Sequence, residues 1–354
     1  MCPLNQPDDI HTPEKFHEYV QTLEVARELL IAVSPAKSRL ALIVLDNAAE
    51  VFMYRLCSEL FQSDEFRAKI LTPRFSKRLK AQVLWKFPEK VRLLKAEGLL
   101  PDDDAAVLDA AHSYRNQAVH RDMHNPRGTR AIASLLLLVA GRLLETCVGD
   151  VTIGGLGRGA IDWLAKYDLP TDHIDFSSAA AKIAVLLGVG LPTTTEDIRL
   201  ALSDDLTSRL IALEAFPSEY LYKPSDEELA EMLKLEEFLS RFDEQAVAPE
   251  YREAVYAIAQ GGEFPPEEFR RREAHYQERL RTERERFQPT LTVAELRRLS
   301  DLRSRLAVAT SQVDVMNAYR EADRRIGAYE TALMSAVIRL EGAIQFQVDL
   351  IRGK

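Results

Sequence analysis

After Ser34-Pro35 the chain runs into LALIVLDNAAEVFMYRLCSEL (40–60), a stretch apolar on nearly every helical face and relieved mainly by Asp46, Asn47, Glu50 and Arg55. A helix of that kind has no side to show to water, so other elements must surround it. That requirement selects a bundle with this helix at its centre. Only 15 Gly and 16 Pro occur in 354 residues, below the roughly 12% of average usage. Leu, Ala, Glu and Arg are abundant, so an all-α fold is expected and a sandwich or barrel is excluded.

The neighbouring helices are legible from their ends. Thr12-Pro13-Glu14 offers a cap, a first-turn proline and an acid, followed by Phe16, Val20, Leu23 and Leu30 at helical spacing. A basic helical segment is broken at Pro73 and Pro88. A helix is expected from about Asp103 to His124, stopped by Asn125-Pro126-Arg127-Gly128, and another from Ala131 to Cys147. Short connections make this an antiparallel bundle over residues 12–150. The GGLGRG run at 154–159 reads as a linker: no GK[ST] follows it and no strand is evident before it, which argues against a phosphate-binding loop. Residues 151–222 are expected to be this linker and a small helical region, and 223–354 an acidic helical, coiled-coil region that regulates or oligomerises. Seven Arg and seven Glu alternate through 263–287, the pattern of a solvated, salt-bridged face. Leu299, Leu302, Leu306, Ala309, Val313 and Met316 are spaced as heptads. After a break near Arg320 and Asp323, Tyr329, Leu333, Ala336, Leu340 and Ala343 repeat the spacing, which suggests a hairpin or a partner-binding coiled coil.

Cys2, Cys57 and Cys147 lie far apart and form no CxxC pair, which excludes a disulfide framework and fits a reducing compartment. The N-terminus has no basic or apolar signal region. The longest apolar stretch, 131–140, is shorter than a bilayer span. A soluble cytoplasmic protein without a membrane partner is expected.

Charge is unevenly distributed. Residues 1–150 carry 20 Lys/Arg and 20 Asp/Glu, so the whole net charge of −9 belongs to the remainder. Within 66–95, ten basic residues surround the single acid Glu89, with Phe66, Phe75, Trp85 and Phe87 interleaved. Such a segment can neutralise phosphates and stack bases, or it can be a solvated helix face whose aromatic rings belong to the core. Lys77, Arg78, Lys80 and Arg121 are the candidate RNA contacts.

The stretch DAAHSYRNQAVHRDMH (109–124) is the most informative. At 100° per residue, Val107, Ala111, Tyr114 and Ala118 form an inward stripe, while His112, Asn116 and His120 gather on the far side with Arg115 on the shoulder. His120 and His124 are spaced i, i+4 as metal ligands can be, but the Glu of HExxH is missing and Asn125-Pro126 ends the helix at the second His. No metal and no cofactor is expected.

Arg115-Asn116-x-x-x-His120 resembles the R-x(4–6)-H motif of the HEPN superfamily, including the polar residue after Arg that its ribonucleases favour. The setting is also similar: a late helix of an all-α bundle, after a long apolar helix carrying an acid (Glu50) and after a basic region. The resemblance covers roughly residues 12–150. Asp122 stands where nucleotidyltransferase-paired HEPN toxins carry Tyr, a departure from that subgroup. What the resemblance implies is a metal-independent endoribonuclease with a composite site formed by two motifs at a homodimer or higher homo-oligomer interface, of the kind found in toxin or antiviral defence effectors. Arg115, His120 and Asn116 would be its catalytic residues, with Glu50 and Tyr114 in support. A regulatory partner would act on the C-terminal helices. The rival expectation is an inactive HEPN-like and coiled-coil scaffold.

Overall fold

The computed structural model describes residues 10, 12–120, 125–154, 158–170, 172–220, 224–242, 249–259 and 265–351, with the side chains of 117–120, 158–161, 217–220, 259 and 349–351 outside that description. Among the described residues the chain is all-α apart from one pair of three-residue strands. It divides into two units: residues 1–209 with 303–321, and residues 210–302 with 322–354.

The first unit is built on α1 (Pro13–Ile31), α2 (Pro35–Arg67), α3 (Lys77–Trp85), α4 (Phe87–Ala96), α5 (Asp102–His120) and α6 (Pro126–Val148). Thr12 caps α1 by accepting from the Lys15 amide, and Pro13 follows at the first helical position. The all-round apolar α2 buries Leu42, Leu45, Ala49, Phe52, Met53 and Leu56 against α1, α5 and α6. Asn125-Pro126-Arg127-Gly128 opens α6 rather than only closing α5. The Asn125 side chain accepts from the Arg127 amide at 2.9 Å, and proline costs no hydrogen bond in a first turn. Helix α6 therefore begins earlier than expected; α5 is described as far as His120, and the rest of the expected helix, 121–124, lies outside the described residues. Taken whole, α6 is long and apolar enough to cross a membrane by length and composition, yet 78% of that window is buried in the bundle.

Residues 151–209 are not a detached linker region. Two strands, β1 (Thr152–Gly154) and β2 (His173–Asp175), pair antiparallel with Ile153 opposite Ile174. A strand thus does precede the 154–159 run, although its first three residues past Gly154 lie outside the described residues. Helices α7 (Arg158–Lys166), α8 (Phe176–Gly188) and α9 (Thr195–Tyr220) follow. Helix α8 packs on α6 and α1, so closely that a Cβ on Gly141 would stand 2.5 Å from that of Ala184. The packing therefore does not divide at residue 150; α8 completes the core of the first bundle.

The second unit contains α10 (Asp226–Arg241), α11 (Pro249–Ala259), α12 (Pro266–Arg286) and α13 (Val293–Arg298). Ser225 and Glu228 close a capping box on α10. The Arg/Glu-rich α12 buries no residue, as its composition predicts. Glu237 ties this unit together by accepting from the Thr290 and Leu291 amides at 2.7 and 2.8 Å. The two heptad runs are organised differently from expectation. The interruption falls between α14 (Ser300–Val308) and α15 (Gln312–Ile351), and α15 passes through Arg320 and Asp323 as one continuous helix. Val315, Tyr319, Ala322, Ile326, Tyr329 and Leu333 keep a 4-3-4-3-4 buried stripe across that point, while Leu340 is exposed.

Candidate functional site

Helix α5 carries the R-N-x-x-x-H motif, and three acids in its first turn, Asp102 to Asp104, complement its N-terminal dipole. Asp104 also holds Arg142 of α6 through two bonds of 2.6 and 2.8 Å, which fixes the helix against the core. The inward stripe is as the periodicity predicts: Val107, Ala111 and Tyr114 are fully buried.

Tyr114 is a packing residue. Its hydroxyl donates to Asp205 Oδ1 at 3.1 Å, and the same carboxylate receives the Tyr319 hydroxyl at 2.7 Å and the Asn125 amide at 3.1 Å. Burial, reinforced by the Asp205 charge, pushes the Tyr114 phenol well above its ordinary value. It stays protonated at any physiological pH and cannot serve as an acid or base there.

Arg115, the next residue, turns to a different carboxylate. Its Nε and Nη2 both donate to Asp46 Oδ2, at 2.9 and 2.8 Å, and its Nη1 donates to Asn116 Oδ1 at 2.9 Å. Asp46 sits on the central helix α2 and is only 1% exposed. His112, one turn before Arg115, brings Nδ1 to the same carboxylate at 3.1 and 3.2 Å, and its ring stacks on Phe87 of α4 at 3.8 Å between centroids. Arg115 and His112 keep 25% and 22% of their side chains exposed, so the cluster opens to solvent through the guanidinium and the imidazole. Asn116 is exposed.

Asp46 and His112 are the residues that sequence reasoning left out of the site. The signal was there: an acid inside an otherwise apolar helix needs a partner, and His112 and Arg115 are i, i+3 on one face of α5. The other candidates separate. The backbone of His120 belongs to α5, but its side chain, together with Arg121 and His124, lies outside the described residues. Glu50 does not join Arg115; it accepts from Lys90 Nζ at 3.0 Å. Lys80 is committed to Asp64 at 3.1 Å and Glu65 at 3.3 Å and lies over the Phe61 ring. Lys77 and Arg78 are exposed at the start of α3. Among the described residues no three His, Cys, Asp or Glu side chains gather as a metal site. Cys57 and Cys147 are buried thiols, and burial pushes that of Cys57 up to about 12, which keeps it from acting as a nucleophile.

No family model, curated protein or solved structure matches the chain. The functional reading therefore rests on the residues themselves.

Proposed function

We propose that this protein is a metal-independent endoribonuclease, with Arg115 and His120 as its catalytic pair. The ribose 2′-oxygen attacks the adjacent phosphorus as its proton passes to a histidine. The bond from phosphorus to the 5′-oxygen breaks, and that oxygen takes a proton from a second acid. The products are a 2′,3′-cyclic phosphate and a 5′-hydroxyl. DNA lacks the attacking hydroxyl and is not cut. Histidine titrates near neutrality and suits both proton transfers, which contribute about 10²–10⁴-fold. Arg115 stays charged, and its planar fork matches the oxygens of the phosphorane.

What supports this reading is that one buried carboxylate, Asp46, holds both Arg115 and His112 at the surface of the bundle. An arginine anchored through Nε keeps a fixed orientation towards an incoming anion. The Asp46 contact orients the His112 ring through Nδ1 and leaves Nε2 on the far side of the ring, so His112 joins His120 as a candidate acid or base. Asn116 steadies the guanidinium. Two copies would combine their motifs in one site, and the acidic second unit would regulate them, in keeping with a toxin or defence effector.

The test is incubation of the full chain with mixed cellular RNA in excess EDTA, beside Arg115→Ala and His120→Ala at matched oligomer mass. Cleavage by wild type alone, leaving 2′,3′-cyclic phosphates, is the expected result. Cleavage that survives both substitutions would overturn the assignment. A scaffold reading is favoured by one observation: three of the Arg115 donor contacts are already satisfied internally. It predicts that Arg115→Ala lowers stability while no RNA is cut by any form.

A further inference from the structure

Beside the Arg115 cluster is a pocket of about 430 Å³ whose walls include Val51 and Tyr54 of α2, Leu84 and Trp85 of α3, and the Glu50–Lys90 ion pair. Two helices step from one to the other. On α2, Asp46 belongs to the cluster and Glu50, one turn on, belongs to the pocket; on α4, Phe87 stacks on His112 and Lys90, one turn on, reaches Glu50. The two sites are thus about 6 Å apart along α2. Trp85 is 85% exposed, which is extreme for an indole with no packing role. Its ring is available as a flat surface at the pocket mouth.

The charge around it is unusual as well. Arg74, Lys80, Lys90, Arg92 and Lys95 each meet a carboxylate. Arg67, Lys69, Lys77, Arg78 and Lys86 meet none among the described residues. Arg78 lies two turns before Trp85 on the same face of α3, and Lys86 directly follows it. A polyanion with flat, unpaired rings fits both the charge and the indole.

We infer that this pocket takes an unpaired nucleobase of single-stranded RNA, stacked on Trp85, while Arg78 and Lys86 neutralise the phosphates on either side. The inference rests on the ribonuclease reading and narrows its substrate: the base flanks the scissile phosphate, one helical turn from Arg115. Glu50 keeps an oxygen for a base N–H donor while its other oxygen accepts from Lys90. Duplex RNA offers no free base face and is excluded.

The probes are short oligouridylate and oligoadenylate, each alone and annealed together as a duplex, titrated in EDTA against the full chain with His120→Ala so that nothing is consumed. Trp85 and the buried Trp163 are the two tryptophans, so quenching on binding reports Trp85. Single strands should quench and bind, the duplex should bind at least tenfold more weakly, and Trp85→Ala should lose about tenfold in affinity for single strands while Trp85→Phe keeps most of it. Trp85 is exposed enough that neither substitution threatens folding. Equal binding of single strands by Trp85→Ala, or equal binding of the duplex, would overturn the proposal. So would a fall in oligomer mass in Trp85→Ala with RNA affinity unchanged, which would make the pocket a contact between copies. Tight, Trp85-dependent binding by a protein whose wild type cuts nothing would instead retain the pocket and refute the ribonuclease reading.

Discussion

Tyr114 and Arg115 are neighbours on α5, yet each sends its polar end to a different buried aspartate, and the two aspartates do opposite things. Asp205 is surrounded by neutral donors, two tyrosine hydroxyls and one amide, with the guanidinium of Arg209 at 3.9 Å; both tyrosines and Arg209 are buried. Asp46 instead collects a guanidinium and an imidazole that are each about a quarter exposed. A carboxylate enclosed by donors fastens elements together, here α5, α9 and α15. A carboxylate buried behind a guanidinium and an imidazole holds polar groups at the surface in a fixed direction. Residue type and burial are nearly the same in the two cases; the partners decide whether the group ties the fold or equips a site.

This contrast can be broken most sharply at Asp205. Asp205→Ala removes the acceptor of three hydrogen bonds and the anion beside Arg209, itself only 2% exposed. A loss of about 3–5 kcal/mol in chemical denaturation is expected, enough to threaten folding. Next comes Arg115→Ala, which should lower RNA cleavage by about 10²–10³-fold, with a stability loss of about 1–3 kcal/mol because His112 remains on Asp46. Arg115→Lys keeps the charge but not the fork, and should recover only a small part of that activity. If both Asp205→Ala and Arg115→Ala act chiefly on stability, the distinction between the two carboxylates fails.

A smaller effect sharpens it. Tyr114→Phe should cost about 1 kcal/mol at neutral pH. Because the folded-state value of Tyr114 is raised above 10.0, its stabilisation is fully present below pH 10 and declines as pH rises beyond it. The difference between wild type and Tyr114→Phe should therefore shrink in alkaline denaturation curves. The smallest change concerns Asp64, whose carboxyl the Arg74 amide, at 2.7 Å, holds below its usual value. Its contribution is present above pH 3.8 and fades as pH falls below that, so Asp64→Asn should flatten the acid limb of the stability profile.

Much of this arrangement could be read in the residues. The apolar α2, the Thr12 cap and the inward stripe of Val107, Ala111 and Tyr114 all follow from local periodicity, and the structure has them. The heptads were legible as a buried stripe, but the break was misplaced: charged Arg320 and Asp323 suggested an end, whereas an exposed Arg320 bonded to Asp109 and a buried Asp323 leave α15 unbroken. The short β1–β2 pair was missed because three residues carry too little pattern. Glu50 was the acid that the resemblance singled out on the long apolar helix, yet Lys90 claims it.

Sequence alone determined that this chain is helical, that α2 lies at the centre of its bundle, and that α5 presents a polar face bearing Arg115, Asn116 and His112 away from an apolar one. Those properties depend on residues three or four apart, which a helix brings together whatever the rest of the chain does. Tertiary structure decided which acid meets which cation. Asp46 and Arg115 are 69 residues apart, and Tyr114 and Asp205 are 91. At such separations no periodicity operates, and burying a charge compels it to find whichever partner the packing of α2, α5 and α9 brings within reach.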